Sequence, residues 1–393
     1  MSQTNQAASN AKAQYKALCA VCCIFLMNGL MVGSLATHFA AVVSRLSLSQ
    51  AQFSYALSAM AIGTLMGTSS SSFLIRKIGS RNSILVSGVL AGIGFSVFAA
   101  MPLLLWTGIS LLFFGLVNGI MDASMNVQAA IIENNIGRPF MTRIHSLYSV
   151  GGIIGALIAG KVLDLASPLT HAVGLSIVVV LVCIGLYRFL LPHGEEAMRT
   201  GASFAWPSSA LWGVASLAFL VLLCAGAMRD WSATYLTQVM HTNYAMASAA
   251  FAAFSGAQAF GRFFGDSIRE RFGATLLVVS GGLVGGCALI VGLISNNPII
   301  FVMAVGVFGL AHANLTPILF SLAGRSEYGN PALNISAIMT IGLSGYLVGP
   351  QIIGHVSDIF GFTIGLSCVV IASLLAAIIP TMFSVMPPNF RNN

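Results

Sequence analysis

The chain has 393 residues, 57% of them hydrophobic and 7% charged, with a formal net charge of +7. A soluble domain carries about 25% charged residues, so this chain cannot cover a water-facing surface and lipid must be its main solvent. The basic residues sit between apolar segments and do not cluster on one soluble face, which argues against nucleic acid as a partner.

Lys12 and Lys16 precede an apolar run too long for the hydrophobic part of a signal peptide, so residues 1–16 read as a cytoplasmic tail. A bilayer core of about 30 Å needs about 20 mostly apolar residues per helix. By that measure twelve spans follow, at 17–43, 51–75, 82–101, 103–132, 143–166, 169–191, 210–238, 244–268, 275–295, 298–323, 332–356 and 362–386. The longest polar interruption, 192–209, separates bundles at 17–191 and 210–386, and 387–393 form a second tail. The fold expected is an all-α membrane protein with twelve transmembrane helices in two six-helix repeats. The seven cysteines all lie in apolar runs, and CAVCC at 19–23 has no second pair and no histidine cluster. They read as free thiols, with no metal or cofactor expected.

With the N-terminus placed inside, 14 of the 17 Lys and Arg residues fall in inside segments, and Arg45, Lys161 and Arg229 fall outside. That bias orients the chain with both termini cytoplasmic. The halves match at a spacing of 194: Gly67 with Gly261, Gly79 with Gly273, Phe114-Gly115-Leu116 with Phe308-Gly309-Leu310, Gly151 and Gly155 with Gly345 and Gly349, Gly160 and Asp164 with Gly354 and Asp358, and Glu133 with Glu327. Repeated six-helix halves are the architecture of many secondary transporters, whose sites lie between the halves near the midplane.

The fourth span ends in MDASMNVQAAIIEN, 121–134, with no Lys or Arg beside Asp122. At 1.5 Å per residue Asp122 lies roughly 27–29 Å down this helix from Leu103, in the inner half of the apolar layer. An acid there costs about 2.5–3.5 kcal/mol on insertion scales and almost always faces a cavity or a partner. Asn118, Asp122 and Asn126 are spaced by four and share a face. Burial disfavours the charged form of a carboxyl group, so Asp122 is a candidate to bind a coupling proton. The competing reading is a structural acid hydrogen-bonded to a neighbouring helix. In the second half His312 corresponds to Asn118 and Thr316 to Asp122. His312, Asn314 and Thr316, with His38 in the first span, are candidate cavity residues, and backbone-bonded histidines are the alternative.

Several stretches resemble the major facilitator superfamily over nearly the whole chain. That family carries a loop Gly-x-x-x-Asp-Arg-x-Gly-Arg-Arg/Lys after its second span. Here SFLIRKIGSR, 72–81, keeps Lys77, Gly79 and Arg81 but has Ser72 for the first glycine and Arg76 for the acid. The second copy, DSIRERFG at 266–273, keeps Glu270, Arg271 and Gly273. MDASMNVQAAIIE, GRPFMTRIHSLYSVGGIIGA and GAMRDWSATYL resemble the fucose-permease-like branch. The resemblance implies gating or helix-pinning roles for Arg76, Lys77, Gly79, Arg81, Glu270, Arg271 and Gly273, and for Arg143 and His145 at the start of span 5. Glu133 and Asn134 at the end of span 4 read most simply as a solvated helix end, though Glu133 could pair with Arg143 or Arg81 in a gating role. Asp230, beside Arg229 and Trp231, reads as an outer gate or a membrane-interface anchor, with substrate binding an equal alternative. GYLVGPQIIG, 345–354, resembles an antiporter motif but lies in span 11.

The function expected is alternating-access transport of a small polar solute, a sugar or related metabolite, with a proton as coupling ion. The location expected is the cytoplasmic membrane, and the chain is expected to act as a monomer among lipids. The rivals are a drug or metabolite exporter and a non-transporting receptor or scaffold. No GxxxxGK[ST], HExxH or GxSxG site suggests ATP-driven pumping or enzyme chemistry.

Overall fold

A computed structural model describes residues 2–137, 140–192, 206–326 and 330–382. Arg138, Glu327, most of the linker and the second tail lie outside those residues. Among the described residues every regular element is helical. Helices suit lipid because each one satisfies its own backbone hydrogen bonds.

The helices in chain order are α1 Ser2–Leu46, α2 Gln50–Ala100, α3 Leu104–Ile136, α4 Met141–Leu163, α5 Pro168–Tyr187, α6 Trp212–Gln238, α7 Tyr244–Phe263, α8 Gly265–Phe272, α9 Ala274–Ile294, α10 Pro298–His312, α11 Leu315–Gly324, α12 Pro331–Phe360 and α13 Phe362–Met382. Among the described residues ten stretches are long and apolar enough to cross a membrane, α10 and α11 counting together as one of them. α2 is among them as one helix, although it bends at Gly79 and holds two spans. α7 is not among them, because it is built largely on alanine and carries Arg262. Counting both limbs of α2 and adding α7 gives the twelve spans read from the sequence.

Local chemistry sets the helix starts. Ser167 accepts from the Thr170 N–H at 3.2 Å, with Pro168 in the first turn of α5. Asn243 accepts from the Met246 N–H at 2.9 Å and starts α7. Asn297 accepts from the Ile299 and Ile300 N–H groups at 2.9 and 3.3 Å, again with proline following. A short polar side chain before a proline suits a helix N-terminus, where the first N–H groups have no intrahelical acceptor. α3 ends on Gly137 at φ 71°, whose N–H returns to the Glu133 carbonyl at 2.9 Å.

The chain divides into two compact units. The first holds residues up to His38 and 59–201; the second holds 39–58 and 202 onward. Residues 39–58, the end of α1 and the start of α2, therefore pack within the second unit.

Inside each unit the 194-residue repeat is visible in the backbone. Gly79 has φ 83° and ψ 156°, and Gly273 has φ 78° and ψ 161°. That region is essentially reserved for glycine, so both copies of the loop turn by the same means. Packing repeats as well. A Cβ on Gly151 or Gly155 would overlap the Leu26 or Leu30 carbonyl of α1, and one on Gly345 would overlap the Phe219 carbonyl of α6. Lipid tails give apolar side chains no reason to prefer one another, so membrane helices associate through close packing at small residues.

Candidate functional site

The first unit assembles a polar face on α3. Asn118, Asp122 and Asn126 lie one turn apart. The Asp122 side chain is exposed, and among the described residues nothing hydrogen-bonds or pairs with its carboxyl group. Its backbone carbonyl accepts from Asn126 Nδ2 at 2.8 Å. His145 of α4 bonds Asn126 Oδ1 through Nε2 at 3.1 Å; the amide oxygen only accepts, so the imidazole donates. The His145 ring meets Phe25 of α1 edge-on at 5.2 Å. Asn118 Oδ1 is closed to solvent and has no partner among the described residues. Three helices thus contribute to the surroundings of a carboxyl group that nothing neutralises among the described residues.

Asn28 of α1 belongs to the same region and was missed in the sequence. It donates from Nδ2 to Met125 Sδ at 3.8 Å, while its Oδ1 is buried without a partner among the described residues. The available signal was an amide inside the apolar run LMNGLMVG. Sulfur is a weak acceptor, so Asn28 is poorly satisfied where it stands.

The cation-rich end of this unit is held by groups with different tasks. Glu133 Oε2 accepts from the Phe140 and Met141 N–H groups at 2.7 and 2.8 Å. It caps α4 with a negative charge, which also suits the positive end of the helix dipole. Arg143 is exposed. Arg81 lies 3.9 Å over the Tyr187 ring, and the Tyr187 hydroxyl donates to Asn82 Oδ1 at 2.7 Å. Arg76 and Lys77 are exposed. Gln128, fully buried, donates to Ser80 Oγ at 2.8 Å and to the Leu191 carbonyl at 3.0 Å, and accepts from the Leu191 N–H at 3.0 Å. Gln128 is a second residue the sequence reading passed over, since a lone Gln on a long helix carries no local signature.

Of the remaining candidates, His38, His312, Asn314 and Asp230 are held in packing contacts rather than lining an open face. His38 is fully buried, with Nδ1 3.0 Å from the Ser34 carbonyl, Nε2 3.2 Å from the Pro168 carbonyl, and its ring against Phe95 and His171. In the second unit His312 is buried between α9 and α13, with Nε2 3.2 Å from Ser373 Oγ. Asn314 donates to the Gly261 carbonyl at 2.9 Å, and Thr316 is half-buried. Pro317 has no N–H for the Ala313 carbonyl four residues earlier. The helix breaks there, and Arg262 Nε donates to that carbonyl at 3.2 Å. Glu270 and Arg271 on α8 are exposed, and Arg269 reaches Ser321 Oγ at 3.2 Å. Asp230 is buried against Arg229 at 2.8 Å, and the Arg229 guanidinium lies 5.1 Å over the Tyr346 ring. Among the described residues no group of three or more His, Cys, Asp or Glu could hold a metal ion.

A family model, the Major Facilitator Superfamily, matches residues 17–329. The chain belongs to that superfamily. It is therefore a multi-pass membrane protein and a secondary transporter, not an enzyme. An uncharacterised MFS-type transporter of Yersinia pestis is 29% identical over 354 residues, covering 90% of this chain and 92% of that one. Among solved superfamily structures, a mutant of the nucleoside transporter NupG has a TM-score of 0.77 at 14% identity, covering 94% of this chain and all of that one. A bacterial homologue of the human lysosomal transporter Spinster has a TM-score of 0.73 at 14% identity, covering 94% and 96%. These two structures establish a shared superfamily fold and carry no substrate to this chain.

Proposed function

We propose that the chain is a proton-coupled transporter of the cytoplasmic membrane that moves a small polar solute by alternating access. It works as a single chain with both termini in the cytoplasm. Asp122 carries the proton, and Asn118, Asn126 and His145 orient the solute beside it. One observation carries this reading: the Asp122 carboxyl group stands exposed on a helix face with two amides, unneutralised among the described residues. A structural acid would be bonded to a neighbouring helix, since an intramembrane acid is costly unless it is used or paired. An acid that gains and loses a proton needs access, and an amide-lined face suits hydroxyls better than an apolar drug. That NupG carries nucleosides on the same fold is consistent with a polar cargo.

The test is purified protein in liposomes with an imposed pH gradient and a pool of labelled sugars and metabolites. Wild-type protein should accumulate a member of the pool. Asp122→Asn should abolish gradient-driven accumulation while leaving solute exchange between equal pH values. Undiminished gradient-driven uptake by Asp122→Asn sinks the coupling role.

A further inference from the structure

Three cations gather at one end of the first unit. Arg81 lies over the Tyr187 ring, and the Tyr187 hydroxyl is fixed on Asn82 Oδ1, so the guanidinium is held by its face. A guanidinium held by its face keeps its edge N–H groups for an oxyanion. Arg188, which ends α5, lies 4.7 Å from the centre of the Phe189 ring, and Lys16 of α1 lies 5.9 Å from the same ring. Lys16 and Arg188 are exposed. Among the described residues no acid pairs with any of the three, and Arg81 Nε has no partner. Membrane orientation accounts for cations at this end. It does not account for three of them on two neighbouring rings.

The same two helices, α2 and α5, leave a groove of about 330 Å³ between them, lined by Ile93, Val97, Val173, Ile177, Val180 and Leu181. Ser96 and Ser176 also line it, but their hydroxyls are engaged within the protein. Ser96 Oγ donates to Ser176 Oγ at 2.8 Å, and Ser176 Oγ donates to the Gly92 carbonyl at 2.6 Å. The groove therefore offers carbon to whatever fills it. Between groove and cations the helices close up at Gly88, where a Cβ would stand 2.6 Å from Cys183 Sγ. Ile177, Leu181 and Ile184 are exposed and share the α5 face that ends at Arg188. At 1.5 Å per residue Leu181 lies roughly 9 Å and Val173 roughly 21 Å along α5 from Tyr187. One acyl chain covers half of a core about 30 Å thick, or about 15 Å. A chain that starts level with Tyr187 therefore ends inside the groove.

We propose that α2 and α5 form a binding site for one anionic phospholipid. Arg81, Arg188 and Lys16 hold its phosphate, and one acyl chain lies in the groove. Basic pockets between membrane helices suit anionic headgroups. A zwitterionic lipid brings a cation of its own to a patch that already holds three. A free phosphate matches the cations but leaves the groove unfilled. The leaflet is the one on the side of Lys16, which is cytoplasmic in the orientation proposed above.

The test uses the unaltered chain in phosphatidylcholine vesicles. A minor share of the lipid carries a diazirine on its acyl chain, as either phosphatidylglycerol or phosphatidylcholine. After illumination, crosslinks are mapped by mass spectrometry. Labelling of 173–184, relative to the lipid-facing residues of α13, should be several-fold higher with the phosphatidylglycerol probe. Equal labelling by the two probes overturns the site. The combined substitutions Lys16→Gln, Arg81→Gln and Arg188→Gln should remove the difference. Labelling on α13 in the same sample reports ordinary lipid contact, so a general loss of structure is told apart from loss of the site. A difference that survives the substitutions overturns the role given to the cations. The preference should persist in millimolar inorganic phosphate, and its loss there would assign the cluster to the free anion and overturn the lipid. None of these measurements involves a solute or a pH gradient, so the coupling reading fails or stands separately.

Discussion

α3 of the first unit and α10–α11 of the second occupy equivalent places in the repeat but solve different problems. α3 runs unbroken from Leu104 to Ile136 and presents Asp122 on an open face. Its counterpart breaks between His312 and Leu315, and the position matching Asp122 is Thr316, next to Pro317. There the polar groups are occupied by structure: Arg262 meets the carbonyl that Pro317 leaves free, Asn314 bonds the Gly261 carbonyl, and His312 reaches Ser373. One half leaves its acid without a side-chain partner among the described residues, and the other uses its polar groups to hold a broken helix together. A duplicated fold can thus leave a polar group open in one half and bonded in the other without altering its helix count.

This contrast can be attacked directly. Moving the break into the first unit should do the most damage. Ala123→Pro would free the Gly119 carbonyl inside α3, at a cost of about 3 kcal/mol or more for a proline in a helix interior. Folded protein recovered on gel filtration should drop sharply, and normal recovery would show that α3 need not be continuous. Next, Gly155→Ala pushes a Cβ into the Leu30 backbone, whereas Gly349→Ala meets the Leu223 side chain at 3.0 Å. The first should cost roughly 1–3 kcal/mol, as overpacking does, and the second distinctly less, compared by thermal unfolding in detergent. Glu133→Gln removes the charge from the α4 cap and should cost about 1 kcal/mol by the same assay. The mildest change is Pro317→Ala, which returns an N–H to the Ala313 carbonyl. Amide exchange over 313–318 should slow while uptake is kept. A fifth variant tests the chemistry itself: Thr316→Asp should not restore gradient-driven uptake to Asp122→Asn. Rescue would mean that the two halves are interchangeable at this position.

Most of the architecture could be read from the sequence because lipid imposes it. Span length, the polar break after Leu191 and the glycine matches each follow from a constraint written in local composition. Gly79 and Gly273 were legible as a pair because few residues can take their backbone conformation. The site was less legible. The i, i+4 spacing put Asn118, Asp122 and Asn126 together, but it could not show that His145, assigned to a gate, donates to Asn126. Glu133 read as a solvated helix end that could pair with Arg143 or Arg81, and its cap on α4 was not legible, because the two N–H groups it meets lie seven and eight residues on across a turn. The partners of Asn28 and Gln128 lie 97 and 63 residues away, so neither contact is written in local sequence, and only the amide of Asn28 in an apolar run was there to be noticed. The packing of 39–58 within the second unit follows from contacts with α6 and α12, and span boundaries carry no trace of it.

The amide of Gln128 grips Leu191 through both its N–H and its carbonyl, as a neighbouring β-strand would. Leu191 lies just before the segment that joins the two bundles, and Gln128 sits six residues from Asp122 on the same helix. The joining segment is therefore tethered to the back of the helix that bears the acid. A shortened tether would pull on α5 through the chain itself and on α3 through Gln128, and the second pull would arrive within two turns of Asp122.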